Sequence, residues 1–190
     1  RRTGREPGAG REPSGMKRPL LALFLAVAVF AGCKAREQPP RAAPLAGNEI
    51  DLPVTLYFPS DQGALAGEHR TLKTSSLPEE QVAAVVRALL EGPEGTGLSA
   101  PFPEGTSLGS CYLSPEGVAF VDLKSQDGGA IPGVGSSEEI QIVYSLVDSV
   151  AMNVNEARRV VILWNGVQPA SFGGHLDTSR PLAPWRGLVR

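Results

Sequence analysis

The chain has 190 residues, 42% hydrophobic and 20% charged, and its 18 Lys and Arg against 20 Asp and Glu give a net charge of −2. That balance is uneven: from Asp51 onward nine basic side chains face sixteen acidic ones, a net of −7, so the folded part lacks the clustered cationic face that a nucleic-acid partner requires. Two cysteines and two histidines, with no Cys/His grouping at metal-ligand spacing, give no metal site and no cofactor.

Residues 1–15 are Gly, Pro and Arg without apolar periodicity, and Met16 is a sensible initiator, so this stretch is expected to be an upstream artefact. Residues 16–32 have the plan of a secretory signal peptide, with Met16-Lys17-Arg18 ahead of an unbroken apolar run from Leu20 to Gly32. At a rise of ~1.5 Å per residue the run covers only ~20 Å of a ~30 Å hydrocarbon core, too little for a permanent membrane span. It ends in Ala31-Gly32-Cys33, which resembles the bacterial lipobox, with Phe30 where Leu is usual. A cysteine thiolate is the nucleophile that takes a diacylglyceryl group, and each buried methylene of the acyl chains contributes ~0.8 kcal/mol. Cys33 is therefore the expected lipidation site and new N-terminus, anchoring the protein to membrane lipid. The alternative is an ordinary signal peptide cut nearby that leaves Cys33 a free thiol. With Cys33 acylated, Cys111 has no partner and an intramolecular disulfide is excluded. The expected location is a membrane of the bacterial envelope, on the periplasmic or outer-surface side. Lys34 in place of Asp favours the outer membrane in a Gram-negative host.

Residues 33–50 are rich in Pro and Ala and read as a tether, extended at Pro39-Pro40, that holds the domain up to ~50 Å from the bilayer at ~3 Å per residue. The domain itself is placed at 51–190. Leu52, Val54, Leu56 and Phe58 alternate as in a half-buried strand, and "EHRTLKTS" from Glu68 is a second strand. Val82, Val85, Val86, Leu89 and Leu90 share one face of a helix, with a capping box at Ser76 and Glu79 and a stop at Gly92-Pro93. "TSLGSCYLS" and "GVAFVDLK" form a hairpin about Pro115-Glu116-Gly117. A Gly-rich loop leads to a second helix with a box at Ser136 and Glu139 and an inner face of Ile140, Val143, Val147 and Val150. "RVVILWNG" is apolar almost without break and reads as a central strand covered on both faces or heavily packed on one. From Gln168 to Arg190 no period is visible. The order strand-strand-helix-strand-strand-helix-strand predicts a single α+β domain, one mixed β-sheet with two α-helices packed on it.

Taken together, "VTLYFPSDQG", Arg70, "VVRALLEGP", "PFPEGTSL", "GVAFVDLKSQ", "EEIQIVYSLVDSV" and "VVILWNGVQPASFGGHLDTSRPL" resemble, in order, the GerMN domain of the sporulation and spore germination family. The resemblance spans roughly Pro53 to Leu182. It implies an envelope lipoprotein whose domain binds or assembles with envelope proteins or peptidoglycan, in a family without established catalytic residues.

Gly105-Thr106-Ser107-Leu108-Gly109 matches G-x-S-x-G, but prolines precede it and a strand follows, the reverse of the strand-turn-helix context that exposes such a serine. Cys111 with His69 or His175 would make a thiolate-imidazole pair, though neither histidine is near in sequence, and a small buried residue is the plainer reading. Among Asp122, Asp127 and Asp177, a dyad of Asp122 with Asp177 ~5–10 Å apart would suit a peptidoglycan hydrolase, the alternative to a binding module. The Gly-rich loop lacks the phosphate-binding pattern, and Glu138 and Glu139 in the following turn repel anions. Arg158-Arg159 and Arg180-Arg186 read as solvated charges, and Trp164 with Trp185 as a weaker option for binding a small wall-derived ligand.

Overall fold

The computed structural model describes residues 47–129, 131 and 133–190. The signal segment, Cys33 and the tether up to residue 46 lie outside the described residues. Strand β1, Glu49–Pro59, follows the alternation, burying Val54, Leu56 and Phe58. It pairs antiparallel with β2, Leu65–Ser75, from Glu49 opposite Ser75 to Pro59 opposite Leu65. Helix α1, Pro78–Leu90, buries Val82, Val85, Val86 and Leu89. After it come β3, Ser107–Leu113, and β4, Val118–Lys124, as an antiparallel hairpin, then helix α2, Ser136–Ala151, and β5, Arg159–Trp164, parallel to β4. A single 3-10 turn, Arg186–Leu188, lies near the end.

The α+β class and the order of elements are as the sequence predicts. The sheet is divided: β1 and β2 form one, and β3, β4 and β5 a mixed one with β4 in the middle. The reason lies on α2. Asn153 accepts from the Thr55 N–H at 2.8 Å and donates to the Thr55 carbonyl at 2.8 Å, Ser149 Oγ accepts from the Tyr57 N–H at 2.9 Å, and Ser145 Oγ donates to the Tyr57 carbonyl. These side chains, four residues apart on α2 and in the turn just past its end, take the edge of β1 where another strand would pair, so the backbone groups of Thr55 and Tyr57 are satisfied without one. Both helices and both sheets meet in one core, with Phe58, Leu89, Val121, Leu146 and Ile162 all near-fully buried.

Three local expectations need correction. Neither capping box forms. Pro78 opens α1 and holds Leu77 extended, while Ser76 Oγ accepts from the Asn48 N–H at 3.1 Å instead. In α2 the cap is Gly135, and the Glu139 carboxylate is turned elsewhere. The third concerns β5, which ends the order of its sheet although Val160, Val161 and Ile162 are buried. Its outer edge is met by the tail, where Val160 and Leu182 exchange two backbone hydrogen bonds of 2.8 Å. The aperiodic tail thus closes an edge that apolar residues alone would leave open. It then donates from the Trp185 N–H to Asp148 at 2.8 Å and from the Arg190 N–H to the Leu65 carbonyl at 2.9 Å.

Candidate functional site

The site is built around the first turn of α2. The Glu139 carboxylate, fully buried, accepts from Ser171 Oγ at 2.6 Å and from the N–H groups of Gly173, His175 and Leu176 at 2.7, 2.8 and 3.2 Å. Its second oxygen lies 3.1 Å from His175 Nδ1. Burial alone would raise its pKa, but these donors outweigh burial and hold it at about 2. One carboxylate thereby fixes the turn 171–176. A side chain on Gly173 would meet Val134 Cγ2 at 2.9 Å and Glu139 Oε2 at 3.2 Å, so only glycine lets this turn lie so close.

The opposite wall hangs from the end of β5. The Trp164 indole N–H donates to the Gly129 carbonyl at 2.9 Å, and Asn165 Nδ2 donates to the same carbonyl at 3.2 Å. Asn165 has φ 53° and Gly166 φ 84°, the left-handed pair that a tight turn needs, and the Gly166 N–H donates to Asp122 at 2.7 Å. Between these walls and residues 100–103 lies a cleft of about 240 Å³ lined by Phe102, Ile131, Val134, Ile142, Trp164 and Phe172, with Glu138 on its margin. The Trp164 and Phe172 rings meet edge to face at 6.3 Å. A second cavity of about 300 Å³ shares Pro103 and Trp164 with the first, and its lining is polar: Glu104, Thr106, Ser125, Gln126 and Asp127.

The residues singled out from sequence are dispersed. Asp122 is bound to Gly166 and to Lys124 Nζ at 2.7 Å, while Asp177 holds the Ser179 N–H at 3.0 Å in an exposed turn. The two share no partner and neither lines either cavity. Ser107 is exposed at the start of β3, opposite Lys124. The thiol of Cys111 donates to the Glu79 carbonyl at 3.5 Å, His69 Nδ1 is bonded to Thr55 and His175 Nδ1 to Glu139, so no thiolate-imidazole pair forms. Burial, with Glu79 and Glu80 nearby, pushes the Cys111 pKa up to about 11. Trp164 lines the cleft, but Trp185 packs on Tyr144 at 5.4 Å. Arg158 donates to the Glu116 carbonyl at 2.9 Å. Arg70 is half-buried against Glu68 and donates to the carbonyls of Ala88 and Gly92 at 3.2 and 2.6 Å, fastening the end of α1 to β2. Among the described residues no group of His, Cys, Asp and Glu has the arrangement of a metal site, and no helix is long and apolar enough to cross a membrane.

Sequence reasoning missed Phe102, Phe172 and the burial of Glu139. A signal for the last was present: Glu139 is in phase with Val143, Val147 and Val150, on the buried side of α2.

The family model described as Germane, sporulation and spore germination, matches residues 55–170. No curated protein matches the sequence. Among solved structures, a Clostridium perfringens protein described as a "putative lipoprotein" is 22% identical, with a TM-score of 0.51 over 75% of this chain and 92% of that one. The first GerMN domain of the sporulation protein GerM from Bacillus subtilis is 15% identical, with a TM-score of 0.54 over 70% and 97%. The tandem GerMN domains of the same protein give 16% and 0.51 over 78% and 50%.

Proposed function

The chain belongs to the sporulation and spore germination (Germane) family, and from that premise we propose that it is a lipid-anchored envelope protein whose domain recognises a partner rather than transforming a substrate. One observation carries the reading. The buried carboxylates of Glu139 and Asp122 and the half-buried Arg70–Glu68 pair are engaged in holding backbone, while the open cleft presents aromatic and aliphatic walls. Such a lining is suited to binding. Acylated Cys33 and the Pro-rich tether would keep the domain within reach of the membrane, among envelope proteins or peptidoglycan. A "putative lipoprotein" among proteins of the same fold agrees with an anchor.

Cys33→Ala is expected to move the protein from the membrane to the soluble fraction without changing its melting temperature. Retention in the membrane would overturn the anchor. Proximity labelling from the anchored protein in its own host is expected to mark envelope proteins reproducibly. Labelling no different from that of a lipidated domain of unrelated fold would overturn the recognition role.

A further inference from the structure

The two cavities beside Trp164 are chemically unlike yet continuous in lining, since Pro103 and Trp164 belong to both. On one side Phe102, Ile142 and Phe172 offer only apolar surface; on the other, Glu104 and Asp127 offer carboxylates. Glu138 adds a third acidic group at the margin of the apolar side, and neither lining contains a lysine, arginine or histidine. The indole N–H of Trp164 is already bonded to Gly129, so the ring contributes its apolar surface and not a donor. Both flanking turns are tied down, one by Glu139 and one by Trp164 and Asn165, so little ordering cost falls on binding.

We infer that this double cleft binds an extended protein segment in which an apolar residue is followed closely by lysine or arginine, the apolar side chain entering beside Phe102 and Phe172 and the cation lying against Glu104 and Asp127. The inference rests on the recognition role proposed above and supplies the chemistry of the partner. Charge complementarity selects the occupant. Exposed carboxylates without a cation among them attract a basic segment and repel an acidic one, and an apolar chamber adds affinity in proportion to the area it covers.

The test uses the full chain in nonionic detergent micelles, with Trp185→Phe so that Trp164 alone reports, and protein-free micelles as the blank. The probe is a synthetic peptide carrying a leucine-proline pair followed by two lysines. It is expected to change Trp164 fluorescence saturably, and the variant E104Q/D127N/E138Q, with an unaltered melting temperature, is expected to bind about tenfold more weakly. Ile142→Lys, which sets a like charge in the apolar chamber, is expected to abolish the change. Equal binding of the same peptide with glutamates for lysines, unchanged affinity in the triple variant, or a larger response to a muropeptide would each overturn the inference. Proximity labelling separates the two levels. Labelling that persists in the triple variant places recognition elsewhere and overturns the cleft alone, whereas labelling that is nonspecific in the unaltered protein overturns the recognition role itself.

Discussion

Glu139 and Asp148 are both fully buried on α2, yet their pKa values move in opposite directions. The difference is the number of donors. Glu139 accepts from three backbone N–H groups and a hydroxyl, whereas Asp148 accepts only from the Trp185 N–H and leaves Oδ2 without a partner. Burial therefore dominates at Asp148 and raises it to about 6, against the smaller effects of the Trp185 N–H and Arg186. The signs of the two contributions to stability follow. Glu139, depressed to about 2, stabilises the fold above its ordinary value of 4.5, and this is lost as pH falls from there toward 2. Asp148, raised from 3.8 to about 6, favours the fold most when protonated, so stability declines as pH rises between those values and stays reduced above them. Glu139→Gln should cost about 3 kcal/mol or more at pH 7, because its amide sets donors against donors. The deficit should narrow as pH falls from 4.5 toward 2, where the carboxyl of the unfolded chain takes up a proton while the folded one stays ionised. Asp148→Asn keeps an acceptor for Trp185 and removes the buried charge, so at pH 7.5 it should stabilise by about 1–3 kcal/mol, with little gain near pH 4. Urea denaturation across pH checks both, and a destabilised Asp148→Asn at pH 7.5 would contradict the assignment. At this scale the sequence showed where acids stand but not what surrounds them; the donors to Glu139 come from residues 32 to 37 positions further along the chain.

Among the elements, α2 does two jobs on adjoining faces. Val143, Leu146, Val147 and Val150 fill the core, while Ser145 and Ser149, continued by Asn153 in the turn just past the helix, serve the edge of β1. Asn153→Ala removes both side-chain partners of the Thr55 backbone at once, so it should cost about 2–3 kcal/mol and quicken amide exchange at Thr55. A cost below about 0.5 kcal/mol, as at an ordinary surface position, would contradict the edge-covering role. Strands and helices were legible because their apolar periods are local properties. The division into two sheets was not, since serines on a helix and an asparagine just past its end carry no period that distinguishes a bond to a distant strand from a bond to water. The capping boxes misled for a related reason: Pro78 sets the start of α1, the Asn48 N–H takes Ser76 Oγ, and the turn at 171–176 takes the Glu139 carboxylate.

For the whole molecule, the family and the α+β class were readable because many short pieces keep their order along the chain. The cleft was not readable. Its walls are Phe102 in one loop, Ile142 on a helix, Trp164 at the end of a strand and Phe172 in the aperiodic tail, brought together only by folding. If this cleft is where the protein meets its partner, as we propose, site-specific photo-crosslinking in living cells of the native host reads it out. A photoreactive residue at Ile142 should yield a discrete adduct with an envelope protein, joined at a segment where an apolar residue adjoins lysine or arginine. The same group at exposed Lys73, on β2, should not. Equal adducts from both positions, or an adduct at Ile142 whose joined segment carries no basic residue, would contradict the account.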